Sequence, residues 1–109
     1  MNRRSVGALL AGAALWPLTR AAAEATVEVQ IKDYLFNPAQ LTVQVGTTVK
    51  WINREKRTTH SIRFTGPGGF ESERFFPDES WQRRFDKPGS YPYSCGPHPE
   101  MKGQIDVTP

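Results

Sequence analysis

Tyr91-Pro92-Tyr93-Ser94-Cys95-Gly96-Pro97-His98-Pro99-Glu100-Met101 joins an alternating strand to a loop dense in metal-ligating side chains. In an extended strand, successive side chains point to opposite faces, so Tyr91, Tyr93 and Cys95 share one face. Two aromatic residues make that face the buried one, and the cysteine sulfur then enters the core at the end of a strand. His98 and Met101 follow at the spacing Cys-x2-His-x2-Met, arriving from the loop just beyond. His60 lies 35 residues upstream of Cys95. Cys95 is the only cysteine, His60 and His98 are the only histidines, and the sole other methionine is Met1.

Outward from that stretch the chain reads as all-β. Val27, Val29 and Ile31 alternate within Thr26–Ile31, and Leu41, Val43 and Val45 repeat the pattern. Gly46-Thr47 turns the chain into a strand at Val49–Ile52, and Ser61–Phe64 follows His60. Gly66-Pro67-Gly68-Gly69 breaks the pattern, Trp81–Phe85 resumes it, Lys87-Pro88-Gly89 turns, and Gln104–Val107 closes the domain. Many short strands between Gly/Pro turns predict a sandwich or barrel. Between Trp81 and Phe85, period two places Arg83 on the apolar face. There it either snorkels to an edge with a wet guanidinium or sits at a bulge.

The ligand types define the chemistry. One thiolate, two imidazoles and one thioether form the donor set of a mononuclear blue-copper site: sulfur suits Cu(I), imidazole suits Cu(II), and a trigonal His2Cys set with a weak axial Met serves both. Taken singly, a cysteine or methionine is most often a buried apolar filler, and a histidine is most often structural or exposed. Here all four stand together in a matching strand frame. His60 follows the Trp51-Ile52-Asn53 strand and can reach the same end of the sandwich from the opposite sheet. The site predicted is one type 1 copper per chain on His60, Cys95, His98 and Met101. Pro97 has no N–H to offer the Cys95 sulfur, and it also stiffens the loop together with Pro99.

The first residues carry an export pattern. Asn2-Arg3-Arg4 is a basic n-region, Val6 to Leu18 is apolar, and Ala21-Ala22-Ala23 supplies small residues for a peptidase. Residues 1–23 are the expected signal peptide, with cleavage after Ala25 as second choice, and residues 24–109 the single domain. Arg3-Arg4-Ser5-Val6 partly matches a twin-arginine signal, so both export routes stay open. The full chain has 14 basic and 11 acidic residues, net +3. Arg3, Arg4 and Arg20 leave with the signal, and the mature chain is balanced at 11 of each. The basic excess belongs mostly to the signal and gives no support for nucleic-acid binding. Removing 23 of 109 residues leaves 86, a size that buries only about 60–65% of its unfolded surface. A single cysteine cannot form an internal disulfide. Metal ligation would protect that thiol in an oxidising compartment and add folding energy.

The chain resembles the cupredoxins, and among them most narrowly the amicyanins. The resemblance is carried by Phe36-Asn37-Pro38, Leu41-x-Val43, Gly46, Val49-x-Trp51-x-Asn53-Arg54-Glu55, His60, Phe85, Pro88-Gly89-x-Tyr91-x-Tyr93-x-Cys95 and Pro97-His98-Pro99-x-Met101-x-Gly103. It implies a Greek-key β-sandwich with a single type 1 copper, transferring one electron at a time in the periplasm. The pattern is broken in places. Ser61 stands where amicyanins carry Asn, Glu100 where they carry an aromatic residue, and Thr58-Thr59 where they carry Met-Pro. One extra residue lies between Asn53 and His60.

The function expected is a soluble, monomeric electron carrier rather than an enzyme. It would not be inserted in the membrane once the signal is removed. A copper-binding or copper-delivery protein of the same fold is the alternative, disfavoured by the lack of a Met- or His-rich tract. A binuclear copper centre needs a second cysteine. A Cys95–His98 nucleophile pair lacks an evident orienting group and leaves Met101 unexplained. The resemblance suggests a c-type cytochrome or a periplasmic dehydrogenase, such as methylamine dehydrogenase, as partner. Glu100 near the exit at His98 predicts a locally basic partner face and favours the cytochrome.

Overall fold

The computed structural model describes residues 25–109; the expected signal peptide lies outside them. Eight strands follow in order: β1 (Thr26–Lys32), β2 (Leu35–Asn37), β3 (Gln40–Gln44), β4 (Thr48–Asn53), β5 (Arg63–Phe64), β6 (Ser80–Arg84), β7 (Gly89–Ser94) and β8 (Lys102–Thr108). They form two four-stranded sheets, ordered β2-β1-β4-β6 and β3-β8-β7-β5. β1 pairs in parallel with β4, and β3 with β8; every other pair is antiparallel. The chain crosses between sheets after β2, β3, β4, β5 and β6, as the sandwich expectation requires.

The alternating residues face inward as their period demands. Val29 and Ile31 of β1, Val49 and Trp51 of β4, and Phe85 from one sheet meet Phe64, Tyr93, Cys95, Ile105 and Val107 from the other. Trp51 is the hub, with its ring 5.4 Å from Tyr93 and nearly perpendicular to it. Edge-to-face contacts of this kind suit the ring quadrupoles. The Trp51 indole N–H and the Tyr93 hydroxyl are both buried without a hydrogen-bond partner. Burial pushes the Tyr93 phenol up to about 12; the nearby Trp51 indole eases this without reaching bonding geometry. Tyr93 lies flat against Gly103, where any Cβ would strike its ring.

Two expectations differ from the structure. Ser61 and Ile62 are not in a strand; β5 is only Arg63–Phe64. The Ser72 side chain explains it: its Oγ accepts the Ile62 N–H at 2.9 Å, replacing a backbone ladder bond. β2 was not anticipated, because three residues are too few to show a period.

Arg83 goes to the edge rather than to a bulge, but its guanidinium packs on rings instead of standing free in water. It pairs opposite Val49 in regular register, so there is no bulge. Its guanidinium lies among four rings, 4.5 Å from Phe64, 4.7 Å from Phe85, 5.1 Å from Phe70 and 5.2 Å from Tyr91. Burial lowers its pKa, with Tyr91 opposing. Cation–π attraction at several faces stabilises the half-buried charge. Arg83 thus caps the open edge between β6 and β5.

Candidate metal centre

β7 delivers Cys95 to the core at one end of the sandwich, and the loop to β8 returns at once. Two backbone bonds shape that loop: Cys95 N–H donates to Met101 C=O at 3.1 Å, and Met101 N–H donates to His98 C=O at 2.9 Å. The thiol and the buried Met101 side chain are thereby brought to the same end of the core. His60 comes from the other sheet by way of the loop after β4. Buried Asn53 organises that loop, its Nδ2 donating to Thr58 C=O at 2.8 Å and to Phe75 C=O at 3.1 Å. Reciprocal bonds with Phe75, 3.2 and 2.9 Å, fix the His60 backbone.

The expected ligands converge. His60 Nδ1 lies 3.4 Å from Cys95 Sγ, and His98 Nδ1 lies 3.5 Å from it. The three ligand atoms fall within 4.8 Å of one another. His60 and Cys95 are fully buried, and of the three only His98 is half-buried. Two imidazole nitrogens, a sulfur and a nearby thioether, brought together from separate segments, fit one type 1 copper.

The surroundings set proton positions. Glu55 Oε2 stands 3.2 Å from His60 Nε2, and its side chain is only 11% exposed. A carboxylate there holds the proton on Nε2 and leaves the Nδ1 lone pair directed at the centre. Burial lowers the His60 pKa, Glu55 opposes that shift, and His98 adds to it. Burial alone would raise Glu55. The Tyr34 N–H and the His60 ring outweigh it and hold the carboxyl below its ordinary value. Burial also pushes the Cys95 thiol up, against the backbone N–H groups of Ser61 and His98. Pro97 cannot donate to the sulfur. Ser61 Oγ accepts the Gly96 N–H at 3.1 Å and donates to Glu71 Oε2 at 2.7 Å, tying the ligand loop to the segment before it. A Cβ at Gly96 would run into both partners, so a larger residue there would have to displace the Ser61–Glu71 pair.

Sequence reasoning missed Tyr34. Its ring stands edge-on to His98 at 4.8 Å and to His60 at 5.9 Å. Its φ of +60°, beside Asp33 at +53°, is a left-handed conformation that a bulky side chain seldom adopts. Glu55 Oε2 accepts the Tyr34 N–H at 2.8 Å, and the Tyr34 hydroxyl meets Thr58 Oγ1 at 3.1 Å. One carboxylate therefore holds both the histidine ring and the aromatic cover. Only Asp33, a residue tolerant of φ > 0, marked that turn in the sequence. The roles of Glu55 and Asn53 were likewise hidden, since each appears only as one position of the resemblance.

The chain matches the cupredoxin-like domain family over residues 5–107. It is 35% identical over 107 residues to amicyanin-alpha of Methylorubrum extorquens, covering 94% of this chain and 88% of the relative. A reduced Cu(I) structure, at pH 4, of an amicyanin with one proline replaced by glycine superposes with a TM-score of 0.72. It is 30% identical, and the match covers 76% of this chain and 82% of that one. A copper-containing nitrite reductase from Thermus scotoductus superposes at 0.71 with 33% identity, but the match spans 77% of this chain and only 22% of the reductase. With the ligand geometry and the two-sheet sandwich, these likenesses place the chain in the cupredoxin family, the blue-copper electron carriers, where it is similar to the amicyanins.

Proposed function

We propose that this protein is a periplasmic carrier of single electrons whose one type 1 copper is held by His60, Cys95, His98 and Met101. The observation that carries it is the approach of two imidazole Nδ1 atoms to one buried sulfur, at 3.4 and 3.5 Å. Bound there, copper would supply the one-electron step by alternating between Cu(I) and Cu(II). The chain's own residues do the rest. Glu55 fixes the His60 tautomer, the Ser61 and His98 N–H groups support the thiolate, and the core around Trp51 excludes water. His98 presents its ring at the surface and provides the exit. Burial of His60, Cys95 and Met101 opposes easy release of the metal, which favours a carrier over a copper-delivery protein.

Residues 1–23 act as the signal peptide, and the mature chain 24–109 works as a monomer that is not an enzyme. Its partners are redox proteins, a c-type cytochrome or a periplasmic dehydrogenase. The copper-loaded mature protein should show the intense thiolate-to-copper absorption near the red end of the visible spectrum and a narrow copper hyperfine splitting. A colourless protein with an ordinary type 2 signal would sink the proposal.

A further inference from the structure

A basic cleft of about 500 Å3 opens beside the ligand loops, lined by Lys32, Arg54, Lys56 and Arg57 with Asp33 and Glu55. The four cations face two acids, and Glu55 is already engaged with His60 and the Tyr34 N–H. Lys32, Lys56 and Arg57 make no ion pair among the described residues. Arg54 reaches Asp78 only at 3.9 Å, between two exposed side chains, a contact worth little. On a mature chain with equal numbers of acids and bases, this is a local positive patch.

The cleft lies next to the exit. Thr58 lines it and meets the Tyr34 hydroxyl at 3.1 Å, and the Tyr34 ring stands 4.8 Å from His98. Tyr34 and its neighbour Leu35 are 45% and 64% exposed, an apolar spot bordering the charges. Aromatic residues are enriched in docking faces, while surrounding charges steer the encounter and set orientation.

We infer that this cleft, with Tyr34 and Leu35, is the docking surface for the redox partner, and that the partner presents a carboxylate-rich face. The inference rests on the electron-carrier function proposed above. It reverses the partner sign expected from Glu100, a single exposed acid outweighed by the bases of the cleft.

The test compares the reduced, copper-loaded mature chain with its K56E/R57E variant. Oxidation is followed with hexacyanoferrate(III) and with tris(phenanthroline)cobalt(III), each taking one electron from the protein's Cu(I). At low salt the anionic oxidant should react faster with the native chain than with the variant by roughly tenfold, and the gap should close as salt rises. The cationic oxidant should show the opposite trend. Glu100→Gln should change neither rate by more than about twofold. Two c-type cytochromes, one with a carboxylate-ringed and one with a lysine-ringed haem edge, supply the protein arm. The acidic one should react faster, and lose that advantage with the variant.

Equal rates for native and variant proteins, or preference for the lysine-ringed cytochrome, would overturn the inference. Steering of hexacyanoferrate without any effect on the cytochromes would identify a small-anion site and also overturn it. The visible spectrum of each sample separates the two proposals, since an unchanged blue band shows the copper site intact and the variant folded. Should copper give no blue site at all, hexacyanochromate(III) added to the apo protein still tests the patch. Its paramagnetic broadening of NMR signals should centre on Lys32, Lys56 and Arg57 and vanish in the variant; broadening elsewhere overturns the patch.

Discussion

Glu55 is the residue with the widest reach at the metal centre, since one oxygen accepts from both His60 Nε2 and the Tyr34 N–H. Glu55→Ala should weaken copper binding by roughly 10–100-fold, the usual effect of losing such an outer support. Competition with a calibrated chelator measures this, and unchanged affinity would mean the His60 ring is held by packing alone. Ser61 answers the departure from the amicyanin pattern. Its hydroxyl still reaches the ligand loop: Ser61 Oγ accepts the Gly96 N–H, and Glu71 Oε2 accepts the hydroxyl proton and so orients it. Ser61→Ala should cost about 1–2 kcal/mol in apo-protein stability, because a hydrogen-bonded N–H loses its partner. Urea unfolding reads that cost. Met101→Gln should retain copper and lower the reduction potential, as expected of a weak axial ligand; loss of the metal in that variant would make Met101 a principal ligand.

At the scale of elements, β6 shows how an apparent defect in patterning becomes a feature of packing. Period two puts Arg83 inward, and the register to β4 keeps it there. What makes the position tolerable is the set of rings supplied by β5, β7, the residue after β6 and Phe70 just beyond the Gly66–Gly69 turn, a set no local window contains. Gly69 permits that turn to close, since a Cβ would meet the Phe64 carbonyl. Arg83→Ala should destabilise the domain by about 2 kcal/mol, from lost cation–π contact and lost stem packing. Arg83→Met should recover part of it, since the stem alone restores packing. If both variants unfold at the native denaturant midpoint, the rings close the sandwich edge without the charge.

For the whole molecule, copper and folding should be coupled. The ligands come from both sheets, so a metal that binds them links residues the unfolded chain holds apart. Copper loading should therefore raise the midpoint of thermal unfolding, and a chelator should lower it again, as calorimetry can record. Exported protein should begin at or near Glu24, which intact-mass measurement checks directly. A product retaining Met1 and sedimenting with membranes would make this a tethered cupredoxin.

The fold class and three of the four candidate ligands were legible because they are written locally, and His60 because it is the only other histidine. Alternation along β1, β3, β4 and β7 declares which faces are buried, and Cys95, His98 and Met101 occupy one short loop. What only the tertiary structure decided is everything built from side chains distant in sequence. Tyr34 covers His98 through a left-handed turn, Glu55 bridges two segments, Arg83 finds its four rings, and Lys32 joins Arg54, Lys56 and Arg57 across the parallel pairing of β1 with β4. The physical reason is range. Backbone periodicity is set by neighbours a few residues apart, whereas hydrogen bonds, ring contacts and summed charge depend on distances that exist only after the two sheets have packed.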